Sequence, residues 1–254
     1  MTPKIIAVVN QKGGVGKTTT TINVAAQLAS PQTPVLIVDL DPQGNSTSGL
    51  GLAKTGATQT TYDLLLGRAT ATAAAQATQV PYLSVVPANA DLAGAEVELV
   101  QQVGREFALQ KALKAAPYHY ILIDCPPSLG LLTINGLTAA HSVLIPVQAE
   151  YYALEGLSQL INTIQAVRGS VNPELGLLGI VLTMFDRRNS LSEQVQTEVH
   201  NYFGDQLFET VIPRNVRLAE APSYGRTIFE HDRWSKGARA YKTLAREIRE
   251  RLEG

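Results

Sequence analysis

The stretch "KIIAVVNQKGGVGKTTT" (residues 4–20) narrows the choice of fold more than any other part of the chain. A run of apolar, partly β-branched residues stops at Asn10. Glycines then fill three of the four positions from 13 to 16, and Lys17 opens a segment of helical character. Strand, glycine turn and helix in direct succession form the opening of a βαβ unit, and such units build parallel sheets covered by helices. The theme repeats. "VLIVD" (35–39), "YLSVVP" (82–87), "YILID" (120–124), "SVLIPV" (142–147), "LLGIVLTM" (177–184) and "LFETVI" (207–212) read as further strands. Most are unbroken apolar runs, as in strands buried on both faces. Helical patterns fall near 17–29, 97–115, 153–168 and 190–203. A last helix, from about Ser235 to Leu252, puts Tyr241, Leu244, Ala245, Ile248 and Leu252 on one face. The expected fold is α/β: a three-layer sandwich around a mostly parallel twisted sheet, one domain over residues 1–254. Residues 53–80, rich in Ala, Thr and Gln, are expected to be an insertion or loosely specified helices inside the one domain, a flexible linker being the alternative.

The glycine turn also has a chemical reading. Gly13, Gly14 and Gly16, with Val15 between them, let backbone N–H groups turn inward around an anion, and the helix N-terminus at Lys17–Thr19 adds partial positive charge. Lys17 would reach the outer phosphates of a nucleotide and the Thr18 hydroxyl would ligate Mg²⁺, so the segment reads as a P-loop. A turn that only joined strand to helix would not require Gly-Lys-Thr at the helix start. One position departs from the general pattern: Gln11 stands where glycine is usual, and a second lysine, Lys12, follows it. A side chain leaving the loop there cannot easily fold back onto phosphates wrapped by its own backbone. It can reach across a two-fold axis to the nucleotide of a second subunit, as a cation supplied in trans.

Composition excludes several classes. The 254 residues carry a net charge of −1, so nucleic-acid binding would need a local basic patch. A single cysteine, Cys125, rules out an intrachain disulfide and argues against an iron–sulfur cluster held by this chain alone. It reads as a small buried filler. No segment is long and apolar enough to span a bilayer, so a cytoplasmic location without a membrane partner is expected.

Three carboxylates sit at strand ends, the edge where parallel sheets bind ligands. Asp39 and Asp41, two residues apart, share a face of the extended chain; an Asx-turn or helix cap is the structural alternative for both. Asp124 ends "YILID" in a Walker B arrangement that would hold Mg²⁺ through water.

"KGGVGKTT" (12–19) resembles the deviant Walker A motif of the ParA/MinD group of ATPases. Further matches are "VDLDPQGN" (38–45), "IDCPPSLG" (123–130), "PVQAEYYALEGL" (146–157), "TMFDRR" (183–188) and "VIPRNVRLAEAPSYG" (211–225). Together they look like the small Soj-type ParA proteins over nearly the whole chain apart from 53–80. The resemblance implies an ATPase using ATP and Mg²⁺, an ATP-dependent homodimer in which Lys12 crosses to the partner's nucleotide, and a ParB-type partner protein. Lys12, Lys17 and Asp41 are then the catalytic set, with Asp41 positioning the attacking water and Asp39 close to the Mg²⁺ shell. The loop residues 12–19 hold the phosphates, Pro213 flanks the adenine and Asn215 reads its edge, a plain turn being the alternative. Glu150 becomes a candidate partner of Lys12 across the interface, a solvated loop acid being the alternative.

From Ile212 to Arg249 nine Lys/Arg face four acids. Arg239, Lys242, Arg246 and Arg249 run along the last helix at 3,4,3 spacing; a solvated face with i,i+4 pairs is the alternative. By resemblance Arg188 and Arg217 match positions tied to non-specific double-stranded DNA. The expected DNA surface is therefore Arg188, Arg217, Lys236, Arg239, Lys242 and Arg246, acting on phosphates without base readout. A MinD-like membrane protein would need bulky apolar residues beside lysines at the C-terminus, whereas this chain ends "REIRERLEG". A nitrogenase-reductase relative would need cysteines that are missing, and a cobyrinate synthase would normally carry an additional substrate domain. A nucleoid-based positioning ATPase for another cargo uses the same core. No helix-turn-helix precedes the loop, so operator-specific repression is not expected.

Overall fold

The computed structural model describes residues 3–150 and 153–253. In chain order the elements are β1 (Lys4–Val8), α1 (Lys17–Leu28), β2 (Val35–Asp39), α2 (Asn45–Gly49), α3 (Thr61–Leu65), α4 (Ala71–Ala74), β3 (Gln76–Ala77), β4 (Leu83–Val86), α5 (Leu92–Leu99), α6 (Ala108–Leu113), β5 (Tyr120–Asp124), α7 (Leu131–Ala139), β6 (Ser142–Gln148), α8 (Ala153–Arg168), β7 (Gly176–Thr183), α9 (Ser190–Phe203), α10 (Val216–Glu220), α11 (Ile228–His231) and α12 (Lys236–Glu253). Tyr151 and Tyr152, inside the matched stretch 146–157, lie outside the described residues.

The strands form a seven-stranded sheet in the order β3-β4-β2-β5-β1-β6-β7. Every pairing is parallel except that of β3 with β4. The phosphate-loop strand is central: β1 pairs with β5 on one side, Val8 opposite Asp124, and with β6 on the other, Val8 opposite Leu144. Because side chains alternate along a strand, each central strand feeds two cores. Ala7, Val38, Ile123 and Ile145 face the layer of α5 to α9. Val8, Ile37, Leu122 and Leu144 face α1 and α12. The apolar face expected on the last helix is present: Tyr241, Leu244, Ala245 and Ile248 are buried in that second core.

The structure corrects the sequence reading in four places. "LFETVI" (207–212) is not a regular strand. It runs beside β7 with bridges only at Leu207 and Pro213, and between them the Thr210 hydroxyl turns to Glu247 of α12. The two-residue β3 closes the opposite edge inside the 53–80 segment, together with α3 and α4. The single helix expected over 97–115 is interrupted: α5 already ends at Leu99, and Gly104, with a φ of 70°, starts the turn that leads into α6. Finally, α7 was not foreseen. Seven of its nine residues are buried, so its sequence has no polar face to reveal a helical period.

Candidate active site

The C-terminal ends of β1, β2, β5, β6 and β7 converge on one edge of the sheet, and the glycine loop (residues 9–16) lies over it. Gly14 and Gly16 hold φ angles of 76° and 91°, the left-handed region that other residues adopt only with strain. Two side chains that the sequence did not single out fix the loop. Buried Asn10 donates to the Pro146 carbonyl (2.7 Å) and accepts from the Lys12 amide (2.9 Å). Thr183, at the end of β7, donates to the Val15 carbonyl (2.8 Å). Helix α1 starts at Lys17 with glycine as its cap, so no side chain of its own takes up the first-turn N–H groups. A loop of inward amides ending in uncapped donors fits a phosphate group.

Lys17 is buried, and its Nζ donates to the Lys12 carbonyl at 3.0 Å. Burial lowers its pKa, and the neighbouring Asp124 carboxylate acts against that shift. Asp124 is 1% exposed; its Oδ2 accepts from the Thr18 hydroxyl at 2.8 Å and the Ser46 hydroxyl at 2.7 Å. Thr21 adds a longer contact of 3.4 Å to Oδ1. A carboxylate and a hydroxyl directly beneath a phosphate loop are the hard oxygen donors that Mg²⁺ takes alongside substrate phosphates and water. The donor set therefore fits the ion, with Thr18 and Asp124 as the residues to hold it. Among the described residues no group of three or more His, Cys, Asp or Glu could hold a metal by itself.

Asp39 and Asp41 separate into different tasks. Asp41 is 8% exposed, borders the cleft and accepts from the Gln43 amide at 2.9 Å, an Asx-turn at the strand exit. Asp39 is fully buried. Its Oδ2 accepts from both the amide (2.8 Å) and the hydroxyl (2.6 Å) of Thr47, so it caps α2 from the end of β2 in place of Gly44, which has no side chain to do so. The structural alternative is thus present for Asp39, which also stands in register beside Asp124 on the neighbouring strand. Burial first, and repulsion from Asp124 second, raise its pKa. Between the ordinary carboxylate range (about pH 4) and neutrality, the folded state then binds more protons than the unfolded one, so this group's contribution to stability falls as pH rises. Asp39→Asn keeps an acceptor for Thr47 and removes the charge. The variant should gain thermal stability relative to the parent at pH 8 and little at pH 4.5 in nucleotide-free protein. A gain that does not change with pH would show that the charge is not the cause.

The cleft next to the loop encloses about 500 Å³ and is bordered by Gly13, Lys17, Thr19, Asp41, Pro213 and Asn215. Pro213 and Asn215 thus border the same cleft as the phosphate loop, although they are about 200 residues distant in the chain. Asn215 is already in use: its Oδ1 accepts from Arg217 N at 2.8 Å and caps α10. Its amide nitrogen is the group left to read a ring edge. Met184, also at the cleft, has a φ of 51°, a strained setting for a non-glycine residue. A larger hollow of about 730 Å³ beside α3, α4 and α6 is lined mainly by Leu and Ala and lacks such convergent polar groups.

Lys12 leaves the loop on the other side, about half exposed, and pairs with Glu150. The sequence reading set Glu150 opposite Lys12 across a subunit boundary. Within one chain the two already meet, because Glu150 follows β6 and β6 lies next to β1. The basic residues lie outside the cleft edge formed by the loop. Arg188 is 90% exposed and doubly bonded to Asp186 (3.0 and 2.9 Å). Arg217 pairs with Glu220 (2.9 Å) and Asp232 (3.7 Å). Lys236, Arg239, Lys242 and Arg246 lie exposed along α12.

A family profile described as "AAA domain" matches residues 3–177. The chromosome partitioning protein ParA of Caulobacter vibrioides is 53% identical over 249 residues, covering 96% of this chain and 93% of its own. The sporulation initiation inhibitor protein Soj of Bacillus subtilis is 56% identical over 247 residues, covering 96% and 98%. The chain belongs to the ParA/Soj family of chromosome-partitioning ATPases. Among solved structures, a Mycobacterium smegmatis protein described as cobyrinic acid a,c-diamide synthase, with bound ATP analogue and magnesium, superposes with a TM-score of 0.87 at 38% identity, covering 99% of this chain and 96% of that one. The cell division ATPase MinD of Pyrococcus furiosus follows the same fold (TM-score 0.78, 27% identity, 97% and 98% covered). Coverage does not separate the partition reading from the synthase name, since both relatives match end to end. Identity does: the ParA and Soj chains, at 53% and 56%, are well above 38%.

Proposed function

We propose that this chain is a single-domain, ATP-driven switch for DNA partitioning. ATP enters the cleft with its phosphates in the loop 13–19, against Lys17, and its adenine beside Pro213 and Asn215. Mg²⁺, held by Thr18 and Asp124, would neutralise phosphate charge. Lys17 donates to the outer phosphates from a buried position, where its charge acts in a low dielectric. Asp41 orients the attacking water, and the β–γ phosphoanhydride bond is cleaved. Two ATP-loaded copies meet loop to loop, and Lys12 exchanges Glu150 for the partner's phosphates. The basic surfaces of the two copies then act together on duplex DNA, so that each phosphate contact counts twice and affinity rises steeply. Hydrolysis, accelerated by a ParB-type protein, releases the monomers into the cytoplasm from the nucleoid.

The observation that carries this reading is the opposite course of the two lysines. Lys17 turns inward onto the loop backbone, while Lys12 projects out of the same loop and ends on a loop acid. One cation faces the loop where its own nucleotide would sit, and the other ends on Glu150 instead. The test is mass in solution of Asp41→Ala, in which hydrolysis is blocked, under saturating Mg·ATP. A dimer with ATP and a monomer with ADP is the expected result; a monomer in both would remove the basis for a trans-acting Lys12.

A further inference from the structure

The chain has a single tryptophan, Trp234, and it is 76% exposed. Its position is held by local backbone bonds. Asp232 accepts from the Trp234 amide through its side chain (3.2 Å) and from the Ser235 amide through its carbonyl (3.1 Å), a tight turn that presents residues 233 and 234 outward. Ser235 then caps α12, its hydroxyl accepting from Ala238 N at 3.0 Å. Neither the turn nor the cap needs an indole. The Arg233 guanidinium lies over the ring, 5.1 Å from its centroid, so a cation and an apolar plane face solvent together.

The surroundings indicate the chemistry of a partner. Residues 233–246 contain five Lys/Arg (233, 236, 239, 242, 246) and no Asp or Glu, and all five side chains are exposed. The apolar face of α12 is spent on the core through Tyr241, Leu244, Ala245 and Ile248, so the helix has none left to lay into a bilayer. A lone ring at the head of a row of cations suits a polyanion that alternates charge with apolar surface, which is the make-up of a sugar-phosphate backbone. We propose that Trp234, with Arg233 stacked on it, is an uncharged contact to duplex DNA at the N-terminal end of the α12 basic row. Its ring packs on deoxyribose between phosphates neutralised by Lys236 and Arg239. This rests on the DNA-binding reading given above and adds a contact to it that charge alone does not supply.

The lone tryptophan supplies its own probe. Random-sequence duplex titrated into the full-length protein with Mg·ATP should quench and shift the emission of Trp234. Trp234→Ala should weaken duplex binding about tenfold in the dimer, where the contact is lost twice, and Trp234→Phe should recover most of it. The log–log salt slope of Trp234→Ala should equal that of the parent, because no counterion release is lost, whereas Lys236→Ala should flatten it. An unchanged thermal midpoint of Trp234→Ala checks that the fold is intact. If the parent binds duplex under ATP while its emission stays constant and Trp234→Ala binds equally well, the proposal is wrong and the DNA reading stands. If the parent binds no duplex with any nucleotide, the DNA reading falls and takes this contact with it. A blue shift on anionic vesicles with no response to duplex would assign the ring to a membrane and overturn the proposal.

Discussion

Lys17→Ala should lose both nucleotide binding and dimer formation, whereas Lys12→Ala should keep the first and lose the second. The two lysines are five residues apart on one loop, so a shared folding defect would strike both variants alike. The expected difference comes from their environments. Lys17 is buried against the loop backbone and close to Asp124, where a charge-assisted bond to phosphate is worth up to about 3 kcal/mol, or ~100-fold in affinity. Lys12 ends in a half-exposed pair with Glu150, and such pairs contribute only about 0–1 kcal/mol, so a single chain should bind ATP with less than ~5-fold change without it. Across a dimer interface, closed from water, the same ammonium would face a partner's phosphates and matter far more. Calorimetric titration with ATP, followed by mass in solution, separates the two effects. A Lys12→Ala protein that still dimerises would mean that the outward lysine has another purpose.

Arg188→Glu should abolish binding to random duplex while ATP-driven dimerisation survives. The side chain stands 90% exposed at the turn before α9 and does not border the nucleotide cleft, so its loss should leave ATP binding alone. In a symmetric dimer the change removes two phosphate contacts and adds two repulsive charges. Arg188→Ala should bind measurably at low salt, with a log–log slope flatter by roughly 1.8. The structure adds a refinement. Arg188 is held by Asp186, whose carboxyl it pushes down to about 2, so part of its charge is already compensated before DNA arrives. Asp186→Asn keeps the acceptor for the Arg188 amide and releases the guanidinium, and it should strengthen duplex binding where Arg188→Glu destroys it. Weaker binding by Asp186→Asn would show that the carboxylate positions the arginine rather than competes for it.

The parts of the site that were legible in the sequence are those written in consecutive residues. Gly13 to Thr18 announce a phosphate loop because the turn, its cation and its hydroxyl must be neighbours, and Asp124 stands out because a carboxylate is costly at the end of a fully apolar strand. What escaped is held by partners far apart in the chain. Asn10 fixes the loop through Pro146, and Thr183 through Val15, contacts 136 and 168 residues apart. Ser46 reaches Asp124 from α2, 78 residues away, and nothing in "NSTSG" marks that hydroxyl as different from its neighbours. The resemblance sets Asp39 near the metal together with Asp41, because the motif joins the two. The binding of Asp39 to Thr47, which makes it a cap, becomes visible only once β2 and α2 have folded against each other. The strand reading held in the middle of the sheet, where runs such as "YILID" are buried on both faces. It failed at 207–212 and 76–77, edges where pairing on one side only lets side-chain contacts and loop length decide.

The central claim is that nucleotide controls access to DNA, and the most direct measurement is the affinity of the unaltered protein for random-sequence duplex at one salt concentration with ATP, with ADP and with no nucleotide. The account predicts tight binding with Mg·ATP alone, equal within error for unrelated sequences, and loss of that binding on exchange to ADP. Equal affinity in all three states would contradict it, because the basic surface around α12 and Arg188 would then act independently of the cleft.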